Sequence, residues 1–308
     1  MIAIRELLCA TDIERPAHAA LRYAIFMAER CHASLHVVHA WAHLEHEHTT
    51  EPGTRAQRSE RALSEQGLHA RLDAVVRAVS PTPGRATTHI IDGKLPAAVV
   101  DYAERHKSDL ILLGSTLGAE PYSASLGTLA QQVGHAALCP VLTVPHDTAL
   151  PDLRVQRILL PIELEHSMVS TTEWAAHLAR RFGAIVELVC APPGANADSD
   201  RLEGKRGATE DTLRLAGVAF EQSASATGKD LTSRILKRAQ HGACDLIVMA
   251  TGSRDLRQCS ALASVRRASV VPVLAVRPVV AERRSGRDFT PGASFSSGHS
   301  SAGRTASA

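Results

Sequence analysis

The chain has 308 residues, more than one ordinary domain needs, and pairs 44% apolar with only 3% aromatic content, so its cores must be built from Leu, Val, Ile and Ala. The net charge of +2 resides in the last 28 residues, where Arg283, Arg284, Arg287 and Arg304 outnumber Glu282 and Asp288; the neutral remainder carries no basic stripe, which argues against nucleic-acid binding. No apolar run reaches membrane-spanning length, and the opening Met1-Ile-Ala-Ile is interrupted by Arg5 and Glu6 before it could serve as a signal segment. Six cysteines without a C-x-x-C pair read as reduced, small core residues, and together these features predict a cytoplasmic protein.

In chain order, Leu7 to Ala10 is too short an apolar run for a helix and reads as a strand buried on both faces. Ala17, Leu21, Ala24, Ile25 and Ala28 then recur at helical spacing, and Ser34 to Ala40 is a second strand. A polar stretch from Leu44 to about Arg58 is expected to be a loop, and Leu68, Leu72, Val75, Val76 and Val79 mark a second helix. Thr87 to Ile91, Leu110 to Leu113 and Val141 to Val144 are strands; Ala97 to His106 and Leu129 to His135 are helices between them. Asp147 to Leu153, with Pro151, joins this half to the next.

The next half is a second copy. Residues 7 to 40 align without a gap on residues 158 to 191, an offset of 151. Ile158 to Leu160 and Ile185 to Ala191 are strands, and Trp174, Leu178 and Phe182 lie on a helix between them. Asp109-Leu-Ile-Leu-Leu-Gly114 is echoed by Asp245-Leu-Ile-Val-Met-Ala250 at an offset of 136, and Pro140-Val-Leu-Thr-Val144 by Pro272-Val-Leu-Ala-Val276 at 132, so four residues are missing between those blocks in the second copy. The expected fold is α/β with two doubly wound domains, at 1–147 and 153–280, followed by a disordered tail at 281–308 rich in Ser, Gly and Arg. Pairing of the two domains is expected at the apolar final strands, Val141 to Val144 and Val273 to Val276.

Ligands of such sheets lie at the carboxyl ends of the strands. Gly114-Ser-Thr-Leu-Gly118 leaves the fourth strand there, and Gly127-Thr128 opens the helix after it. Glycines that let backbone approach a ligand, before a helix start that favours anions, fit a phosphate site. Turn glycines plus a Thr128 cap completed by Gln131 explain the same residues without a ligand.

These blocks resemble the universal stress protein family: Asp109 to Gly114, then Gly127-Thr128, then His135-Ala-Ala-Leu-Cys-Pro-Val-Leu-Thr-Val144, with Leu7 to Asp12 and His39 matching the family's opening. The resemblance covers about residues 4 to 145 and, more weakly, 155 to 278. It implies five parallel strands per domain, pairing of two such domains, a regulatory or protective role in stress and, in many members, ATP or another adenine nucleotide with its Mg ion. Carried over, Asp12 would meet the adenosine, Ala10 and Ala40 would offer backbone to the adenine, Leu113 and Gly114 would line the pocket, and Gly127, Thr128 and Leu129 would hold phosphates. The family's second glycine falls on Leu117, with Gly118 one place late, and Glu120 and Pro121 stand where small or basic residues are common. In the second copy Cys259-Ser260 takes the place of Gly127-Thr128, Ala250 that of Gly114 and Glu163 that of Asp12, so that half is expected to be a companion with a degenerate site.

Other chemistry has less support. His36, His39, His43, His46 and His48 are dense enough to suggest zinc or nickel, but no H-E-x-x-H helix and no nearby Cys completes a site. Gly93-Lys94 lacks the earlier glycine and the following hydroxyl of a P-loop. Gly114 to Gly118 has Thr116 where a nucleophile elbow has Ser, so a catalytic group cannot be assigned. The expectations are therefore a nucleotide-binding stress protein, a scaffold that binds no nucleotide, and last an ATP-cleaving enzyme. Partners are the internal domain pair, with homo-oligomers allowed and no nucleic acid or membrane.

Overall fold

The computed structural model describes residues 2–13, 18–41, 55–80, 84–115, 128–146, 153–164, 166–190, 198–223, 230–241, 244–251 and 260–278. The first half runs β1 (Glu6–Ala10), α1 (His18–Cys31), β2 (Ser34–Trp41), α2 (Arg55–Val79), β3 (Ala86–Asp92), α3 (Ala97–Arg105), β4 (Leu110–Gly114), α4 (Thr128–Ala136) and β5 (Val141–Val144). The second repeats it as β6 (Arg157–Ile162), α5 (Val169–Phe182), β7 (Ile185–Cys190), α6 (Asp198–Leu215), β8 (Phe220–Gln222), α7 (Leu231–Gln240), β9 (Leu246–Ala250), α8 (Ser260–Ala268) and β10 (Val273–Val276).

All ten strands form one sheet in the order β3-β2-β1-β4-β5-β10-β9-β6-β7-β8. Pairing is parallel within each half and antiparallel where β5 meets β10. In that register Leu142 lies opposite Leu274, its own equivalent in the repeat, so a pseudo-twofold axis passes between them. Leu7, Leu8 and Cys9 are each wholly buried, as a strand covered by helices on both faces requires.

The core is shared unequally between the two faces. On one, α1, α2, α5 and α6 join both halves in a continuous apolar cluster that includes Leu21, Leu72, Leu178 and Leu213. Phe26 and Phe182 stack there with ring centroids 5.4 Å apart. On the other face each half keeps its own cluster, around Val99 and Val133 in the first and Ile235 and Val265 in the second.

Two local expectations need correction. The helix α2 already begins at Arg55, inside the stretch read as loop to about Arg58. Its first turns, Arg-Ala-Gln-Arg-Ser-Glu-Arg, lack apolar periodicity but contain mostly good helix formers, so propensity carries the helix past its apolar stripe. Thr128 is the first residue of α4 itself, one place inside the cap position expected of it. The linker at 147–152 and the tail from 279 lie outside the described residues.

Candidate functional site at the strand ends

The carboxyl ends of β1, β2 and β4 bring together most of the expected site. Ala10 pairs with Val38 on one side and with Leu113 on the other, and Ala40 is two residues farther along β2. Ala10, Leu113 and Leu129 belong to one buried cluster, with half-buried Ala40 packed against it. Gly114 ends β4, and Thr128 and Leu129 begin the helix facing this edge. Gly118 and Gly127 were also expected in the site; they lie outside the described residues, as do Leu117, Glu120 and Pro121.

Asp12 owes its place to the residue before it. The Thr11 N–H donates to Val38 O at 3.0 Å, and the Thr11 carbonyl lies 3.2 Å from His39 Nδ1. Held from both sides by β2, this peptide fixes the backbone just before half-buried Asp12. His39 thus locks the loop after β1. The end of β4 is fixed similarly: Ser115 N–H donates to Val144 O at 2.8 Å, and its hydroxyl accepts from His146 N at 3.1 Å.

In the second half the same mouth holds a cation from its own chain. Lys205 on α6 donates to the carbonyls of Glu163, Leu164 and His166 at 3.0, 2.6 and 2.6 Å. An ammonium has three protons to donate, so all three are engaged. Desolvation, and then nearby Arg201, push the Lys205 pKa below the ordinary lysine range, while Glu163 acts in the other direction. Glu163, which stands at the place of Asp12, also lies 3.7 Å from His166 Nε2. The buried pairs Leu72 with Thr209 and Val76 with Leu213 keep a constant spacing of 137, which puts Leu68 at the place of Lys205 in the first half. Sequence reading missed this lysine because α6 is polar and offers no periodicity to single it out.

The connection after the fourth strand differs as expected in length. Residues 115–127 separate β4 from α4, and 251–259 separate β9 from α8, four fewer. Ser260 opens α8 as Thr128 opens α4, while Cys259 lies outside the described residues.

Repeated Asp109 and Asp245 have a structural task. Asp109 Oδ2 accepts from Arg5 N and Glu6 N at 2.7 and 3.0 Å, and Asp245 Oδ2 from Gln156 N and Arg157 N at 2.8 and 2.9 Å. Each carboxylate fastens the start of its half's first strand. Burial pushes the Cys9, Cys139 and Cys244 thiols up to about 12, so none supplies a thiolate nucleophile at neutral pH. Among the described residues no group of His, Cys, Asp and Glu could hold a metal ion.

The histidines that cluster in sequence separate in space. His36 and His39 have opposite parity along β2, and His43, His46 and His48 lie outside the described residues. His36 instead meets His89, Tyr102 and His106 near the amino ends of the strands. A cavity of about 410 Å³ lined by Ala103, Glu104, Lys107, Ser108, Asp109, Leu138 and Cys139 also lies at that end, remote from the expected crevice.

With this geometry in place, the repeated match to a family model is decisive: the universal stress protein family matches residues 3–145 and 154–277. The chain belongs to the universal stress protein family. A solved universal stress protein from Archaeoglobus fulgidus is 16% identical, with 89% of this chain and 96% of that one covered and a TM-score of 0.63. A functionally unknown protein of Pseudomonas aeruginosa PAO1 gives 17%, 90%, 93% and 0.56 in the same order. These likenesses show the tandem universal stress protein fold. A universal stress protein in complex with cAMP covers 46% of this chain at 16% identity and a TM-score of 0.35, too slight a likeness to argue from. A comparison with curated proteins gave no match at all.

Proposed function

We propose that this universal stress protein is a regulatory or protective protein of the cytoplasm that binds one adenine nucleotide, ATP or a relative of it with Mg, in the first half. The second half acts as its structural companion. The observation that carries this reading is the unequal pair of crevice mouths. In the first half, Ala10 pairs with Leu113 and Asp12 follows two residues on, at the strand ends to which the family resemblance assigns adenosine. In the second, Lys205 ties the corresponding loop to α6, and the connection that would surround phosphates is four residues shorter. Asp12 would engage the ribose, the strand-end backbone would read the adenine edge, and the amides around Thr128 at the start of α4 would face the phosphates.

Titration calorimetry with ATP tests this reading. Gly127→Asp introduces a carboxylate where phosphates are expected and should abolish the heat, whereas Cys259→Asp should leave it unchanged. Loss of heat on Cys259→Asp, with Gly127→Asp silent, would move the site to the second half and overturn the assignment. Absence of heat in the unmodified protein would favour the scaffold reading instead.

A further inference from the structure

At one place on its outer face, each half solves the same problem with different chemistry. In the second half, the wholly buried Glu187 of β7 is held by Arg238 of α7, whose Nη2 lies 2.6 Å from Oε1, and by Arg157 of β6 at 3.9 Å. Arg157 also pairs with Glu221 of β8. The repeat offsets of 151 and 136 map Arg157, Glu187 and Arg238 onto Glu6, His36 and Tyr102. The Arg–Glu–Arg lock of the second half therefore stands where the first half has Glu6, His36 and Tyr102.

The first-half cluster is compact. Glu6 Oε2 lies 3.1 Å from His36 Nε2, so that nitrogen carries the proton and donates. In neutral His36, Nδ1 is then an acceptor, and the Tyr102 hydroxyl donates to it across 3.0 Å. His89 Nε2 approaches the same Nδ1 at 3.4 Å and also lies 3.0 Å from Thr87 Oγ1. His106 stacks on Tyr102 with centroids 4.0 Å apart and sits 5.2 Å from the His36 ring. Thus α3 is fastened to β2 and β3 through a cluster of imidazole and phenol rings.

We propose that His36, His89, Tyr102 and His106 form an acid-sensitive latch that holds α3 on β2 and β3, so that acidification loosens the first half while the Arg157–Glu187–Arg238 lock keeps the second closed. Glu6 is the carboxylate of the cluster, and it is engaged with His36. A proton taken up by His89 faces the rings of His36 and His106, His69 of α2 and, beside Tyr102, the Arg105 guanidinium.

The direction of the pH dependence follows. Burial first, and then His36, His106 and His69, hold the His89 pKa below the ordinary histidine range. Once α3 lifts, His89 returns to about 6.5, so the open state takes up more protons as pH falls through that value and opening becomes easier. The helix that lifts carries Val99 and Val100, which share a core with Ala10, Leu113 and Leu129 at the crevice.

Hydrogen exchange on the full chain tests the latch without any ligand. From about pH 7.5 to about pH 5.5, after correction for the intrinsic pH dependence of exchange, protection of α3 should fall severalfold, up to about tenfold, relative to α7. His89→Gln should flatten that response. If that variant does not fold, the exposed His106→Gln serves the same purpose. Parallel changes in α3 and α7, or an undiminished response in a folded variant, would overturn the proposal.

Discussion

At the scale of single residues, the internal repeat provides its own controls. The helix α5 ends on Gly183 at φ 68, and α1 ends on His32 at φ 56, the equivalent position. Both ends close identically: Ala184 N–H reaches Ala179 O and Ala33 N–H reaches Ala28 O, each at 2.9 Å. The left-handed conformation strains a side-chain-bearing residue and suits glycine, so His32→Gly should raise stability by about 0.5–1 kcal/mol. Denaturant unfolding measures this, and an equal loss would show that the exposed His32 ring has contacts of value. Residue positions were legible in the sequence where they lay in strands. The alternation of β2 and the match at His39 were sufficient to place that ring at the end of the strand. His89 and His106 were not legible, because their meeting with His36 depends on the phase of α3 over the sheet, which no local pattern specifies. Repetition marked Asp109 and Asp245 as important, but only their bonds to the backbone at positions 5–6 and 156–157 show that the importance is structural.

At the scale of elements, α4 and α8 face each other beside the pseudo-twofold axis and have diverged where they meet. Position 134 in α4 is glycine; its equivalent in α8 is Arg266, 9% exposed, which donates to Ala130 O at 3.2 Å and Val141 O at 3.3 Å. A Cβ on Gly134 would lie 3.2 Å from Arg266 Nη1. One side needs an absent side chain so that the other can place a guanidinium. Gly134→Arg should therefore cost about 2–4 kcal/mol by forcing two cations into one buried space, and Arg266→Gly added to it should recover most of that loss. Unfolding of both single variants and the double variant measures the coupling; strictly additive losses would contradict it. The elements of the first half could be read from periodicity to within a residue or two, except where α2 extends through polar sequence. The polar α6 and the three-residue β8 lacked such a signal, since a short half-exposed strand has no alternation to count.

At the scale of the whole molecule, gene-length repetition has produced one ten-stranded sheet with two unlike ends. Pairing through β5 and β10 covers both apolar edges, and Gly134 with Arg266 favours union of a first half with a second half over union of like halves. The unlike ends follow the same logic: Asp12 follows the first strand of one half, and in the other Lys205 ties down the corresponding loop. The difference in connection length was visible in the sequence as two unequal offsets, but the lysine that ties down the loop after β6 was not. The number of nucleotides bound per chain tests this asymmetry most directly. Equilibrium dialysis with labelled ATP and Mg should saturate at one nucleotide per chain, and saturation at two, or no binding at all, would contradict the account.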